Sequence, residues 1–420
     1  MTAARYVLLA LPAGSRSAWH REVGRWATTG AIPAEWVTCL SIEEVRARLR
    51  GGRPFSALLV DAVFPRLDRD LICTAKAAGC AVLVVGDGRG REWVDLGAAG
   101  ELPIDVARDQ LIELLSRHAR LIGRADHLPD RPRTPDRRGT TAPLVAVTGP
   151  GGTGASTVAI AVAQGCAALY RPVLLADLRR HAEMGVLHEA GDVVPSVQEL
   201  VSAFRTGRPT TDQVRALTFG VPQRGYDLLL GLPRETAWPS IRPRAFESAL
   251  DGLRRVNRVV VADVDADLEG EEDGGSVDVE ERNLMARTVC ARAQAVFVVG
   301  AGGVKGLHAL ARVVGGLLRY GVPGGRIVPV VNRAPLSVGL RADITSSLVG
   351  RWEPAQVSGP VFLPEERADD ALHEGIPLPE AMTVPLVGAL HTILRRVDLE
   401  QPEPDVPRRV APGRVGAWSP

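Results

Sequence analysis

The chain has 420 residues, 45% hydrophobic and 24% charged, enough for two or three packed cores and too apolar for a disordered chain. Its formal net charge of +1 supplies no bulk field of the kind that marks nucleic-acid or membrane-surface proteins. Arginine dominates the basic residues, Lys76 and Lys305 being the only lysines, and the five cysteines (Cys39, Cys73, Cys80, Cys166, Cys290) show no CxxC pair. With no leader-like segment at the start, that cysteine pattern reads as reduced thiols in a cytoplasmic protein. No apolar run reaches the length of a membrane span, and no basic amphipathic segment offers a membrane anchor.

In chain order, Tyr6–Leu11 predicts a short buried strand, Ala18–Thr28 a helix, Trp36–Leu40 a strand, and Ile42–Arg50 a helix opened by Ser41. Ala57–Val60 runs into Asp61, Ala81–Val85 runs into Gly86, and Val106–Arg120 patterns as an amphipathic helix. Five βα units of this size predict a flavodoxin-like doubly wound sheet over residues 1–120. Their order and lengths resemble a response-regulator receiver domain of the CheY-like kind, with Asp61 where that family carries its phosphoacceptor. The acidic pair expected after the first strand is replaced by Leu11-Pro12-Ala13-Gly14, and the Ser/Thr after the fourth strand is Gly86. No lysine follows the fifth strand at Glu101-Leu102-Pro103. Asp61 therefore reads as a strand-end aspartate in a pseudo-receiver.

Residues 121–142, rich in Pro, Arg and Asp without apolar periodicity, read as a linker. Over residues 143–398, strand signals recur at Leu144–Thr148, Val173–Ala176, Leu228–Leu230, Val259–Ala262, Ala295–Val299 and Ile327–Val331, with helical patterns between most of them. They predict a P-loop NTPase-like, doubly wound and mostly parallel sheet. Asp267–Glu281 is an acidic insertion expected to be a surface loop, and residues 399–420 a disordered Pro/Arg-rich tail.

The stretch Leu144–Thr157 orders a buried strand, a glycine-rich turn and a helix start. Gly149, Gly151, Gly152, Thr153, Gly154, Ala155, Ser156 and Thr157 thus form a candidate phosphate-binding loop, in which backbone N–H groups close around an anion at a helix N-terminus. Gly149 and Gly154 have Walker A spacing, and Ser156 stands at the Mg-ligating hydroxyl position. Gly149, Gly151 and Gly154 also satisfy a dinucleotide fingerprint, with Asp177 near the expected distance for a ribose-binding acid, so NAD(P) is a competing cofactor.

Beyond this loop the chain resembles the MinD/ParA group of deviant Walker A ATPases, and most closely its CpaE-like branch, over nearly the whole length to about residue 398. The matching stretches are Gly149–Thr157, Val173–Asp177, Asn257–Asp263, Ala295–Gly300 with the following Lys305–Tyr320 helix, Ile327–Arg333, Val361–Pro364 and Asp369–Pro377. The resemblance implies ATP or ADP with Mg²⁺. Ser156, Asp177 and Asp263 would then stand in the metal shell, and Asn332, followed by Arg333, against the adenine. It further implies a homodimer formed face to face around nucleotide, and partners in the septum-placement (cell division) machinery or in a secretion or pilus apparatus. The departures are chemical. Pro150 and Ala155 replace the two lysines of the family's loop, and Arg179 replaces the aspartate that positions the attacking water. Because phosphoryl transfer depends on cations and positioning, efficient hydrolysis is not expected, and binding is expected to be weak or vestigial. An active ATPase would need substitute cations such as Arg179, Arg180 or Lys305.

Overall fold

Short runs of branched apolar residues, punctuated by glycine and by charged helices, build two sheets. The computed structural model describes residues 5–122 and 141–400, apart from 14–16, 51–52, 65–66, 87–91, 192–193, 271–276, 353–354 and 367. The expected Arg-rich linker over 123–140 and the expected tail over 401–420 lie outside the described residues, as does the middle of the acidic insertion.

The first sheet holds β1 (Tyr6–Leu11), β2 (Ala34–Thr38), β3 (Ala57–Asp61), β4 (Ala81–Val85) and β5 (Gly100–Leu102), in the order β2-β1-β3-β4-β5. Every pairing is parallel. This is the flavodoxin-like order, reversing between β1 and β3. Both faces are covered, which explains strands without hydrophobic alternation: β1 and β3 are buried at every residue. Helices Ala18–Thr28 and Arg108–His118 press Trp19, Val23, Leu111 and Leu115 onto one face. Ile42–Arg50 and Arg69–Ala77 press Val45, Leu71 and Ile72 onto the other. β2 begins two residues earlier than the sequence predicts. Trp36 packs against Trp19 and His20 in mid-strand, while Leu40 is 85% exposed in the turn beyond. Between β4 and β5 the described residues form turns around buried Trp93 and Leu96 instead of a fourth crossover helix.

The second sheet holds β6 (Leu144–Thr148), β7 (Val173–Leu178), β8 (Phe219–Val221), β9 (Tyr226–Leu229), β10 (Val259–Val264), β11 (Ala295–Ala301), β12 (Ile327–Asn332) and β13 (Val361–Phe362). Their order is β13-β12-β11-β6-β10-β7-β9-β8, and only β8 runs antiparallel to its neighbour. This is the predicted mostly parallel sheet, with two very short outer strands added. β6 is central, flanked by β10 and β11, so the loop that follows it emerges at mid-sheet. The helix Ala155–Ala167 is apolar on nearly all sides because it lies between this sheet and the helix Glu380–Glu400. Within the acidic insertion, Val277–Arg282 is helical.

The two sheets meet through the helix Arg69–Ala77, which packs on the helices Val197–Thr206 and Pro243–Val256. Asp70 Oδ1 accepts the Arg244 backbone N–H at 2.8 Å, so a residue of the first sheet's layer caps the first turn of a second-sheet helix. Asp70→Ala is expected to lower stability by about 1–2 kcal/mol, the usual loss for a cap. Urea unfolding followed by tryptophan fluorescence would read it, and an unchanged midpoint would deny Asp70 that role.

Candidate functional site

The turn after β6 is held from below by close packing. A Cβ on Gly149 would lie 2.6 Å from the Val299 carbonyl oxygen, and one on Gly154 would lie 2.5 Å from Asn332 Nδ2. Gly152 and Gly154 both adopt left-handed backbone, φ +76° and +84°, which side chains strain to reach. Gly151 and Gly152 face open space, with nothing within 4 Å of where a methyl group would stand. Thr153 Oγ1 donates to the Pro150 carbonyl at 2.7 Å and closes the turn. The helix Ala155–Ala167 starts at once, so its first N–H groups, without intrahelical acceptors, aim along the same opening as its dipole. This is a phosphate-sized cradle.

Beneath it lies a charged cluster. Ser156 Oγ donates to Asp263 Oδ2 at 2.7 Å. Asp263 and Asp177 sit opposite each other on β10 and β7, both fully buried. Burial, opposed by Arg179 and reinforced by Asp177, pushes the Asp263 carboxyl up to about 7. Burial likewise pushes Asp177 up to about 6, against the backbone N–H bonds that it accepts. Those bonds, from Met184 N at 2.9 Å and Arg179 N at 3.3 Å, engage both Asp177 oxygens. Arg179 turns inward: its Nη1 is 3.5 Å from Asp263 Oδ1 and its Nε 3.8 Å from Asp265 Oδ1. Arg180 donates from its backbone N and from Nε to Asp265 Oδ2, at 3.0 and 3.3 Å. Thr148 Oγ1 donates to the Asp265 carbonyl.

For a magnesium nucleotide these residues divide. The glycine cradle fits phosphate. The carboxylates do not present a metal shell: Asp177 caps backbone, Asp263 holds the Ser156 hydroxyl, and the positive charge beside Asp263 is the Arg179 guanidinium. Among the described residues no group of three or more His, Cys, Asp or Glu side chains is placed to hold a metal ion. Asp177 is equally unavailable to a ribose, because its carboxylate is fully buried.

Asn332, at the end of β12, donates from Nδ2 to the Thr153 carbonyl at 2.9 Å and accepts the Arg333 N–H at 3.0 Å. Its amide braces the loop. Arg333 is exposed and lines a cleft of about 670 Å³ together with Gly154, Thr157, Glu365, Glu366, Asp369 and Asp370. Pro150 borders a different hollow, of about 640 Å³, against Arg312, Arg319 and Tyr320. Ala155 puts a buried methyl at the second lysine position. Lys305 is exposed at the start of the helix Val304–Arg319.

Two parts of this site escape a reading of the sequence for motifs. Asp265 follows Asp263 by two residues, the strand period that puts side chains on one face, and that spacing is its signal. The acidic rim of the cleft lies in the Val361–Pro377 region, where the carboxylates have no periodic signal. In the first sheet, Asp61 is buried and accepts Trp19 Nε1 at 3.4 Å and Val63 N at 3.3 Å. All five cysteines are unpaired, and burial raises the Cys80, Cys166 and Cys290 thiols to about 12. Among the described residues no helix is long and apolar enough to cross a membrane.

No family model and no curated protein matches the chain. Among solved structures it is similar to a ParA family ATPase from Chlorobium tepidum TLS, at 16% identity over 59% of this chain and 99% of that one, with a TM-score of 0.47. It is also similar to the septum site-determining protein MinD from Pyrococcus horikoshii OT3, complexed with Mg-ADP, at 17% identity over 62% of this chain and 99% of that one (TM-score 0.45). A third is a putative plasmid partition protein from Borrelia burgdorferi B31 bound to AMPPNP, at 15% identity over 61% and 99% (TM-score 0.42). The chemistry of the site rests on its own geometry.

Proposed function

We propose that this chain is a MinD/CpaE-like spatial regulator that does not turn over ATP efficiently. It would act through protein partners, in septum placement or in positioning a secretion or pilus apparatus. The observation that carries the reading is the Arg179 guanidinium 3.5 Å from Asp263, in a phosphate cradle whose two lysine positions are Pro150 and Ala155. A guanidinium neutralises the buried carboxylate where catalysis by this class of site needs a carboxylate free for metal and water. The intact glycine turn supports weak nucleotide binding by backbone N–H groups. The first sheet, with Asp61 bonded to Trp19, supports a docking role in preference to phosphotransfer.

Calorimetric titration with ATP·Mg, ADP·Mg and NADH, paired with a phosphate-release assay, tests this. The expected outcome is weak or no adenine-nucleotide binding, no preference for NADH, and no turnover above background. Robust hydrolysis that Ser156→Ala abolishes would overturn the proposal. Turnover that Arg179→Ala or Lys305→Ala removes would instead mark a working ATPase with substitute cations.

A further inference from the structure

Where the two sheets join, three arginines from three elements face one small cavity. Arg69 opens the helix Arg69–Ala77, Arg208 follows the helix Val197–Thr206, and Arg255 lies in the last turn of the helix Pro243–Val256. All three line a hollow of about 210 Å³, with Ser248 and Asp251 on its wall. Arg69 is fixed in place: Nε donates to the Phe204 carbonyl at 2.6 Å and Nη2 to the Gly207 carbonyl at 2.9 Å. Both acceptors are neutral, and the neighbouring Asp70 carboxylate offsets only part of the charge that remains. Arg208 and Arg255 form no ion pair among the described residues; burial lowers the Arg69 pKa most, Arg208 and Arg255 lower it further, and Cys73 and Asp70 oppose them. Of the two acids that line the hollow, Asp251 is engaged by Arg292 and Asp95 is exposed. Three guanidinium groups lining one hollow repel one another, and an anion placed between them relieves that repulsion.

We propose that this junction is a binding site for a phosphate group, carried as inorganic phosphate or as a small phosphate monoester whose remainder stays in solvent. Guanidinium forks match phosphate oxygens in geometry and charge, and the Ser248 hydroxyl adds a neutral donor. The volume is below the roughly 300–1,000 Å³ of sites that engulf drug-sized ligands, so a whole nucleotide does not fit and a phosphate group does. The ligand would tie Arg69 of the first sheet's layer to Arg208 and Arg255 of the second and so stiffen the junction. The proposal is independent of whether the glycine cradle after β6 is functional.

The test is calorimetric titration of the full chain with inorganic phosphate and with glycerol phosphate, at ionic strength held constant with chloride. The double substitution Arg208→Gln/Arg255→Gln alters two exposed side chains and leaves the fixed Arg69 in place. It is expected to weaken one phosphate-binding event by at least about tenfold, the loss of charge-assisted hydrogen bonds. A control pair of exposed arginines elsewhere, Arg215→Gln/Arg234→Gln, should change nothing. Binding of both ligands assigns the ester, and binding of phosphate alone assigns the free anion. An unchanged isotherm in the double variant, as when all phosphate sits in the glycine cradle, overturns the proposal, as does an equal loss in the control pair. Guanidinium ¹⁵N shifts of Arg69 on adding phosphate give a second readout that requires no substitution, and their absence at saturation overturns it equally.

Discussion

Asp263→Asn should leave the protein more stable than the parent above pH 7, although it removes one half of a buried ion pair. The folded-state pKa of Asp263, about 7, lies above its ordinary value of 3.8. Between those two pH values the folded protein holds a proton that the unfolded chain has released, so stability falls as pH rises through the window and levels off above 7. Asparagine carries no titration there and still offers a hydrogen-bonding partner to Ser156. The difference in unfolding free energy between variant and parent should therefore grow with pH, by up to roughly 4 kcal/mol across the window. Arg179→Leu should act oppositely. Without the guanidinium, which holds the Asp263 pKa down, the carboxyl stays protonated at pH 8, and the pH-dependent part of the loss there is about 1–2 kcal/mol, set by the single pH unit between a pKa of about 7 and pH 8. At pH 5, where Asp263 carries its proton, the loss should be smaller. Urea unfolding of the three proteins at pH 5 and pH 8 measures both effects. Parallel pH dependence in all three would show that Asp263 does not titrate in the folded protein and that Arg179 does not offset its charge.

That cluster also shows which parts of the chain were legible in the sequence. Helices Ala18–Thr28 and Ile42–Arg50 fall where their apolar period puts them, because helices of this length repeat the signal over two or more turns. The central strands are equally legible as branched apolar runs. β8 and β13, of three and two residues, are too short to hold a period at all. The glycine cradle is a local motif and can be seen locally. Its supports are not: Asn332 braces the Thr153 carbonyl across 179 residues, and Ser156 meets Asp263 across 107. The sequence shows that Arg179 departs from the expected aspartate. That its side chain folds back onto Asp263 and Asp265 follows only from the pairing of β7 with β10, which sets both strand ends side by side. Asn332 illustrates the same limit, since a residue at a strand end reads alike whether its amide faces a ligand or a loop.

Within the glycine turn, one substitution series separates packing from phosphate binding. Gly154→Val should be the most damaging, because φ is +84° and the new Cβ would stand 2.5 Å from Asn332 Nδ2, the group that braces the turn. Left-handed strain of about 1–2 kcal/mol and overpacking of about 1–3 kcal/mol add to an expected loss of roughly 2–5 kcal/mol. Gly152→Ala meets no neighbour within 4 Å but has φ +76°, so only the backbone term of about 1–2 kcal/mol should remain. Gly151→Ala has neither problem and should stay within about 0.5 kcal/mol of the parent. Thermal and urea unfolding rank the three. ATP titration then supplies the functional comparison, because a phosphate drawn against the backbone at Gly151 needs the space that a methyl would fill. If the cradle holds nucleotide, Gly151→Ala should lose binding at unchanged stability. If binding instead follows stability across the series, or is absent from the parent as well, the turn is a structural βα connection, and the search for function moves to the surfaces that partners touch.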